Sequence, residues 1–377
     1  MTLPMVQPAT EAVAQSLLQH LADTMVSPSL HAPAGCVLGM ELKGTRIVVA
    51  AGVASPELSA PMERSTLFDL ASVSKVVGTT SCLHRLAGMH LLDIDTPVRR
   101  LIPSFGGADS TTVRDLLHHR GGLWDWQPLY LAPGGQENPF RVIDQLPLRY
   151  DPGKERHYSD LGFMTLGRVV EIVAGVPLSA AVRELVADPL GLGPFSYGPV
   201  AHTSIATSGL DDRVEREMVA TGEPHPVLWS DDGFPWRTGP IRGSVNDGNC
   251  AHAFSGVAGH AGLFSNVDGL LDVAVALSTA EECPSIWDPD VTASFFATGP
   301  DAEQALGWRR GEILIDDVPR TLLWHPGFTG TAVGFVPGKG LAVAFAANRL
   351  LADQPETTTV LWQRVLAVVT QILREQK

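Results

Sequence analysis

The chain has 377 residues, 45% of them hydrophobic and 18% charged, with a net charge of −14. An acidic surface of this size repels phosphate backbones and anionic lipid, and no run of Lys or Arg offsets it, so neither nucleic acid nor membrane is expected as a partner. The length supports a large buried core, in one bilobal domain or two closely packed ones.

In chain order, the opening segment MTLPMVQPATEAVAQ lacks a basic stretch followed by an apolar one, so no signal peptide is expected. No apolar run approaches the roughly 18 to 20 residues that span a bilayer. Cytoplasmic localisation is the resulting expectation. Thr10 to about Met25 reads as a helix with Val13, Leu17, Leu21 and Met25 on one face. Cys36–Leu42 and Thr45–Val53 read as a hairpin turning at Lys43-Gly44. Ser72 begins a helix that stops near Gly88, and Thr112–His118 and Leu161–Ala174 are further helices. Pro194 to Cys250 is irregular and rich in Gly, Asp and Trp, the character of a functional loop or lid. Ser265 is placed to cap a helix running to about Leu277. Thr321–His325, Thr331–Val336 and Leu341–Ala347 are β-like, the last two joined by the turn Pro337-Gly338-Lys339-Gly340. A closing helix, Thr358–Leu373, carries the stripe Leu361, Val365, Val368, Val369 and Ile372.

This order predicts an α+β fold, an α/β sandwich in which one antiparallel sheet is built from both chain ends and flanked by helices. A mostly helical insert forms a second lobe. Residues 1–377 are read as one domain, with a sheet lobe of 1–66 and 250–377 and a helical lobe of 67–249. The four cysteines, Cys36, Cys82, Cys250 and Cys283, have neither zinc nor CxxC spacing and read as single buried thiols. His118 and His119 have no third ligand at fitting spacing, so no metal is expected. None of the motifs requires a cofactor.

Gly-x-Ser-x-Gly, GxxxxGK, GxGxxG and HExxH are all missing. What stands instead is Ser72-Val73-Ser74-Lys75. A serine in a first helical turn has free N–H groups and the positive end of the helix dipole beside its oxygen. A lysine three residues on projects from the same face. That lysine can draw the serine proton only if burial or charge loosens its own proton. Leu67-Phe68-Asp69-Leu70-Ala71 and Val76-Val77 are apolar enough to bury it. With five lysines and 23 serines, chance supplies about 0.3 such pairs, so the tetrad alone also reads as an N-cap serine with a solvated lysine.

A second element is Tyr158-Ser159-Asp160, the sole Tyr-x-Asx among four tyrosines. A phenol near an ammonium can share or relay the serine proton. Read otherwise, it is a helix-capping Ser-Asp pair beside a core tyrosine. The third is His325-Pro326-Gly327-Phe328-Thr329-Gly330-Thr331 between two β-like runs. Glycine lets a ligand approach a strand backbone, and a free N–H there, paired with the nucleophile's own, makes an oxyanion hole. Pro326 has no N–H, which leaves Phe328. The alternative is a glycine-rich bend with a packed histidine.

Together and in this order, the three elements resemble the serine β-lactamase/penicillin-binding-protein superfamily. Phe68-Asp69-Leu70-Ala71-Ser72-Val73-Ser74-Lys75 looks like the nucleophile helix of class C β-lactamases and their esterase relatives, the family VIII carboxylesterases. Leu116-Leu117-His118-His119-Arg120-Gly121-Gly122-Leu123 is similar to the family's LLxHxSGL segment. Gly256-Val257-Ala258-Gly259-His260-Ala261-Gly262-Leu263-Phe264-Ser265 is similar to a stretch common in the same branch, and His325–Thr331 to its HTGFTGT. The resemblance implies a β-lactamase/transpeptidase-like fold. It implies Ser72 as acylated nucleophile, Lys75 and Tyr158 as general base and acid, and the Ser72 and Phe328 N–H groups as oxyanion hole, with Gly327, His325 and Asp160 at the substrate. His260, between glycines, is given a structural role.

Asp160 stands where the family often has Asn, and His325 where β-lactamases have the Lys of Lys-Thr-Gly. An ionised Asp only accepts hydrogen bonds, and a largely neutral His pairs poorly with a carboxylate. These departures point toward esterase-type members. The leading expectation is hydrolysis of small carboxylic esters through an acyl-Ser72 intermediate. The alternatives are D-amino-acid peptides, a β-lactam or another small amide. From a different class comes a catalytically silent binding protein with the same fold, against which the intact Ser/Lys/Tyr set stands. Trp124–Trp126, Trp229, Phe234 and Trp236 are candidates for the pocket wall. Oligomeric state is not legible.

Overall fold

The structure is a computed structural model that describes residues 8–375. The first seven residues, on which part of the leader reading rests, lie outside the described residues. Seven antiparallel strands form the central sheet: β1 (Gly35–Leu42), β2 (Thr45–Ser55), β3 (Ala60–Pro61), β4 (Arg309–Ile315), β5 (Val318–Pro326), β6 (Thr331–Val336) and β7 (Leu341–Ala347). Their order is β3-β2-β1-β7-β6-β5-β4. The two chain ends meet at β1–β7, where Cys36 is opposite Ala347 and Leu42 opposite Leu341. The β1–β2 hairpin turns at Lys43 and Gly44, at φ of 48° and 86°, as a two-residue turn of primed type requires. β4 was not expected. It is an edge strand in which Ile313 alone is fully buried, so its sequence carries no clear alternation.

The helices that build the cores and the site are α1 (Pro8–Met25), α2 (Ser81–Gly88), α3 (Val113–Leu117), α4 (Asp160–Ala174), α5 (Arg213–Thr221), α6 (Val267–Ser278) and α7 (Thr358–Glu375). The pleat of the sheet sorts side chains between two cores. In β7, Leu341, Val343 and Phe345 enter the core under α1 and α7, whereas Ala342, Ala344 and Ala346 enter the core under α6. Small residues on that second face let α6 lie close. At Gly39 of β1 a Cβ would come within 2.7 Å of Val267 and 2.9 Å of Leu271.

Two expectations shift by one position. The buried face of α1 is Ala14, Leu18, Ala22 and Met25, and Val13 is exposed; the alanines, silent in an apolar stripe, are what seat the helix. The N-cap of α6 is Asn266, whose Oδ1 accepts the Gly269 N–H at 2.9 Å. Ser265 instead ends the short strand Leu263–Ser265 and donates to Pro194 O. The stretch read as irregular contains the strands Phe195–Tyr197, Thr207–Asp211 and Thr238–Arg242 as well as α5. Cys36, Cys82 and Cys250 are buried free thiols, but Cys283 is exposed. Among the described residues no helix is long and apolar enough to cross a membrane.

Candidate active site

Ser72 lies in the turn that leads into a helix, of which Lys75–Thr80 is π-helical and α2 the continuation. The turn is strained at Ala71, with φ of 45°, a conformation costly for a residue with a Cβ. Asp69 fixes it. One carboxylate oxygen accepts the Ala71 N–H at 2.9 Å, the other the Asn246 N–H at 2.6 Å. Burial pushes this carboxyl up to about 6. The Val73 and Ser74 N–H groups go to Leu70 O and Ala71 O, while the Ser72 N–H has no acceptor among the described residues.

Lys75 is completely buried. Its Nζ lies 2.9 Å from Ser72 Oγ, 3.0 Å from His260 O and 2.7 Å from Asp160 Oδ1. It also sits over the Tyr158 ring, 5.1 Å from the centroid. Burial alone would loosen the ammonium proton, but the Asp160 carboxylate and the Tyr158 oxygen outweigh it and hold Lys75 above its usual value. Beside an Asp rather than an Asn, the resting lysine is an ammonium.

Tyr158 is positioned by its neighbours in sequence. Ser159 caps α4, accepting the Gly162 N–H at 2.9 Å and donating to Trp124 O at 2.6 Å. The Asp160 N–H binds Asp125 O. Of the His118-His119 pair, His119 serves this corner. His119, at φ of 58°, accepts the Ser159 N–H on Nδ1 at 3.1 Å, and its ring packs 4.6 Å from that of Tyr158. Burial and nearby cations keep its imidazole neutral. His325, 1% exposed, packs its ring 5.9 Å from Tyr158. Burial holds it well below the usual histidine range as well.

The bend between β5 and β6 is stitched to the nucleophile turn. The Thr329 hydroxyl donates to Asp69 O and that of Thr331 to Leu70 O, both at 2.8 Å. The approach leaves no room at Gly327, where a Cβ would sit 2.5 Å from Leu70 O. Like the Ser72 N–H, that of Phe328 has no acceptor among the described residues. The segment 256–265 braces the helix from the other side. Gly259 O accepts from Thr79, His260 O from Lys75, and the Leu263 N–H binds Ser74 Oγ. His260 itself pairs with Asp247 at 2.9 Å.

Ser72, Tyr158, Asp160 and Phe328 open on one cavity of about 350 Å³. Gly327 and His325 are not part of its wall: the first faces the nucleophile turn and the second is sealed behind Tyr158. Trp126 lines the cavity, whereas Trp229, Phe234 and Trp236 cluster with Tyr130 away from it. The remaining wall includes apolar Val214 and Met218, three further carboxyl groups, Asp125, Glu215 and Asp247, and the imidazole of His225. Asp125 pairs with Arg149. Glu215 takes the Tyr130 hydroxyl at 2.7 Å and is pushed up by burial. Sequence reasoning missed these three carboxyl groups, because Asp125 and Asp247 lie in loops and Glu215 in the short helix α5, none with a motif of its own; it named His119 but gave it no role at Tyr158. It missed Arg309 too. That residue begins the unforeseen strand β4, and its guanidinium lies 5.8 Å from the Tyr158 ring and 5.5 Å from that of Trp324.

This fold, with a serine–lysine–tyrosine cluster between sheet and helices, is that of the serine β-lactamases and penicillin-binding proteins. The chain belongs to the beta-lactamase family, whose model matches residues 30–366, and it is a beta-lactamase-fold hydrolase. A protein of Escherichia coli (strain K12) provisionally named a D-alanyl-D-alanine carboxypeptidase is 31% identical over 318 residues, covering 75% of this chain and 69% of its own. Among solved structures, EstCE1, described as a hydrolase with promiscuous acyltransferase activity, superposes with a TM-score of 0.69 at 23% identity over 96% of this chain and 100% of its own. D-amino acid amidase from Ochrobactrum anthropi SV3 does so with a TM-score of 0.71 at 19% identity, over 95% and 99%.

Proposed function

We propose that the protein hydrolyses small carboxylic esters through an acyl-enzyme on Ser72. The observation that carries this reading is the contact of the buried Lys75 ammonium with both Ser72 Oγ and Asp160. An ammonium beside the serine cannot take its proton, but it steadies an ionised oxygen nearby. Tyr158, under the same ammonium, is then the acceptor. As Ser72 Oγ bonds to the substrate carbonyl carbon, its proton passes to the oxygen of Tyr158 in its phenolate form, which becomes the neutral phenol. The carbonyl oxygen becomes an oxyanion facing the Ser72 and Phe328 N–H groups, an arrangement whose loss of one donor costs about 10² to 10³ in kcat. On collapse Tyr158 returns the proton to the leaving alkoxide. Water enters by the same route, and the acid is released.

The wall supports esters without a free carboxylate. It contains four carboxyl groups, Asp125, Asp160, Glu215 and Asp247, and no Lys or Arg; the cations nearest to it, Arg149 and Lys75, are already paired with Asp125 and Asp160, so an anionic acyl group finds no free counter-charge on the wall. The same wall supports a second reading, an amide whose acyl part carries an ammonium, and the fold shared with D-amino acid amidase is consistent with it. A panel of p-nitrophenyl acetate, a D-amino acid amide, a D-Ala-D-Ala peptide and a penicillin ranks the readings. Turnover of the ester is expected; turnover of the peptide alone overturns the proposal. Intact mass after a fluorophosphonate is expected to show one adduct, lost in Ser72→Ala. No adduct on the wild type would instead support a silent binding protein.

A further inference from the structure

Tyr158 is enclosed by charged and titratable groups from each element packed against it. Lys75 comes from the nucleophile helix, Asp160 from the start of α4, His119 from the end of α3, His325 from β5 and Arg309 from β4. Asp125 lines the same cavity, and Arg156 and Glu303 form a pair at 3.8 Å further out. His119 and His325 are both neutral, so β5 contributes no charge at Tyr158. Lys75 is largely spent on Asp160. That leaves one cation near Tyr158 uncommitted among the described residues. Arg309 is directly opposite Trp324 in the β4–β5 ladder, and its guanidinium lies 5.5 Å from the Trp324 ring and 5.8 Å from that of Tyr158. Among the described residues it makes no hydrogen bond and no ion pair.

A part-buried guanidinium without a counter-ion is unfavourable. Burial accordingly weakens Arg309's hold on its proton, and the largest influence opposing burial is the Tyr158 oxygen. The missing counter-charge is the one that forms when Tyr158 gives up its proton.

We propose that Arg309, delivered by the edge strand β4, is a positioning residue that supplies the positive charge absent at His325 and so poises Tyr158 to accept the Ser72 proton. This rests on the assignment of Tyr158 as proton acceptor. The test is the pH profile of kcat/KM on p-nitrophenyl acetate for full-length wild type, Arg309→Met and Arg309→Lys. A cation near a phenol favours its ionised form. Its removal is therefore expected to move the acid limb to higher pH and lower kcat/KM at neutral pH about tenfold, the size of a modest charge effect. Arg309→Lys is expected to bring the limb back toward the wild type. A folded Arg309→Met enzyme with an unmoved limb overturns the proposal, whatever its absolute rate, because a purely structural role lowers activity without displacing the profile. If Arg309→Met does not fold, Arg309→Gln is read in its place by the same criterion. Failure of the underlying reading is distinguishable: the wild type itself would then give no turnover, or Ser72→Ala would keep it.

Discussion

Replacing Asp160 with Asn removes one charge and almost no volume from the site. Lys75 Nζ donates to Ser72 Oγ at 2.9 Å and to His260 O at 3.0 Å, and forms an ion pair with Asp160 Oδ1 at 2.7 Å. The replacement keeps both hydrogen bonds while the counter-charge is lost. Stranding one member of a buried pair costs about 3 to 5 kcal/mol. Asp160 is 16% exposed, which places the expectation at the low end, about 3 kcal/mol. Lys75 holds its proton more tightly in the fold than in the unfolded chain. Its pairing therefore stabilises fully below the unfolded lysine value of about 10.4 and is lost as pH rises through the folded one. At pH 7 the wild type has the whole contribution, and Asp160→Asn is expected to show a lower urea midpoint at an unchanged slope. The alkaline limb of kcat/KM on p-nitrophenyl acetate should also move to lower pH, since no carboxylate now keeps the amine charged. An unchanged midpoint together with an unchanged alkaline limb refutes the idea that this ion pair fixes the state of Lys75.

Gly327→Ala places a Cβ 2.2 Å from Thr331 Oγ1 and 2.5 Å from Leu70 O; displacing the Phe328 amide should lower kcat about 10²-fold or more, measured on the same ester. Thr331→Val removes one of the two hydrogen bonds to Leu70 O, the Val73 N–H keeping the other, and a melting curve should report a loss of about 0.5 to 1.5 kcal/mol. His84 is buried against Phe295 and burial lowers its imidazole to about 3. Because the unfolded chain binds that proton first, stability should fall as pH drops below about 6.5, by about 3 kcal/mol at pH 4; a stability profile that is flat between these values, or equally steep in His84→Gln, contradicts this. A thiol reagent should label Cys283 alone in the native protein, with Cys36, Cys82 and Cys250 appearing only on unfolding.

The fold was legible where side-chain periodicity met burial on one or both faces. β1, β2, β6, β7 and α7 all announce themselves by continuous apolar runs or a 3.6-residue stripe, and their pairing follows from the position of both chain ends. β4 escaped because an edge strand buries little, and the α1 face was displaced because alanine weighs little in an apolar stripe. In the site, Ser72, Lys75 and Tyr158 stood out through the combination and order of three motifs, none distinctive alone, and the structure brings Lys75 against Ser72 and over the Tyr158 ring. The charge on Lys75 was not, since it depends on an Asp at position 160 reaching across space to Nζ. His119, Asp247 and Arg309 are recognisable only once the loops and the edge strand that hold them are placed.

The threads around Ser72 come from its own turn, begun by Asp69, and from three remote stretches of chain: Tyr158 to Asp160, Asn246 to Leu263, and Gly327 to Thr331. No contiguous fragment contains a working set. Loss of any one stretch disconnects the others from the hydroxyl, so turnover should vanish in step with global denaturation rather than ahead of it. The enzyme's own reaction would then serve as a probe of cooperative unfolding, with urea titrations followed by ester hydrolysis and by circular dichroism falling on one curve.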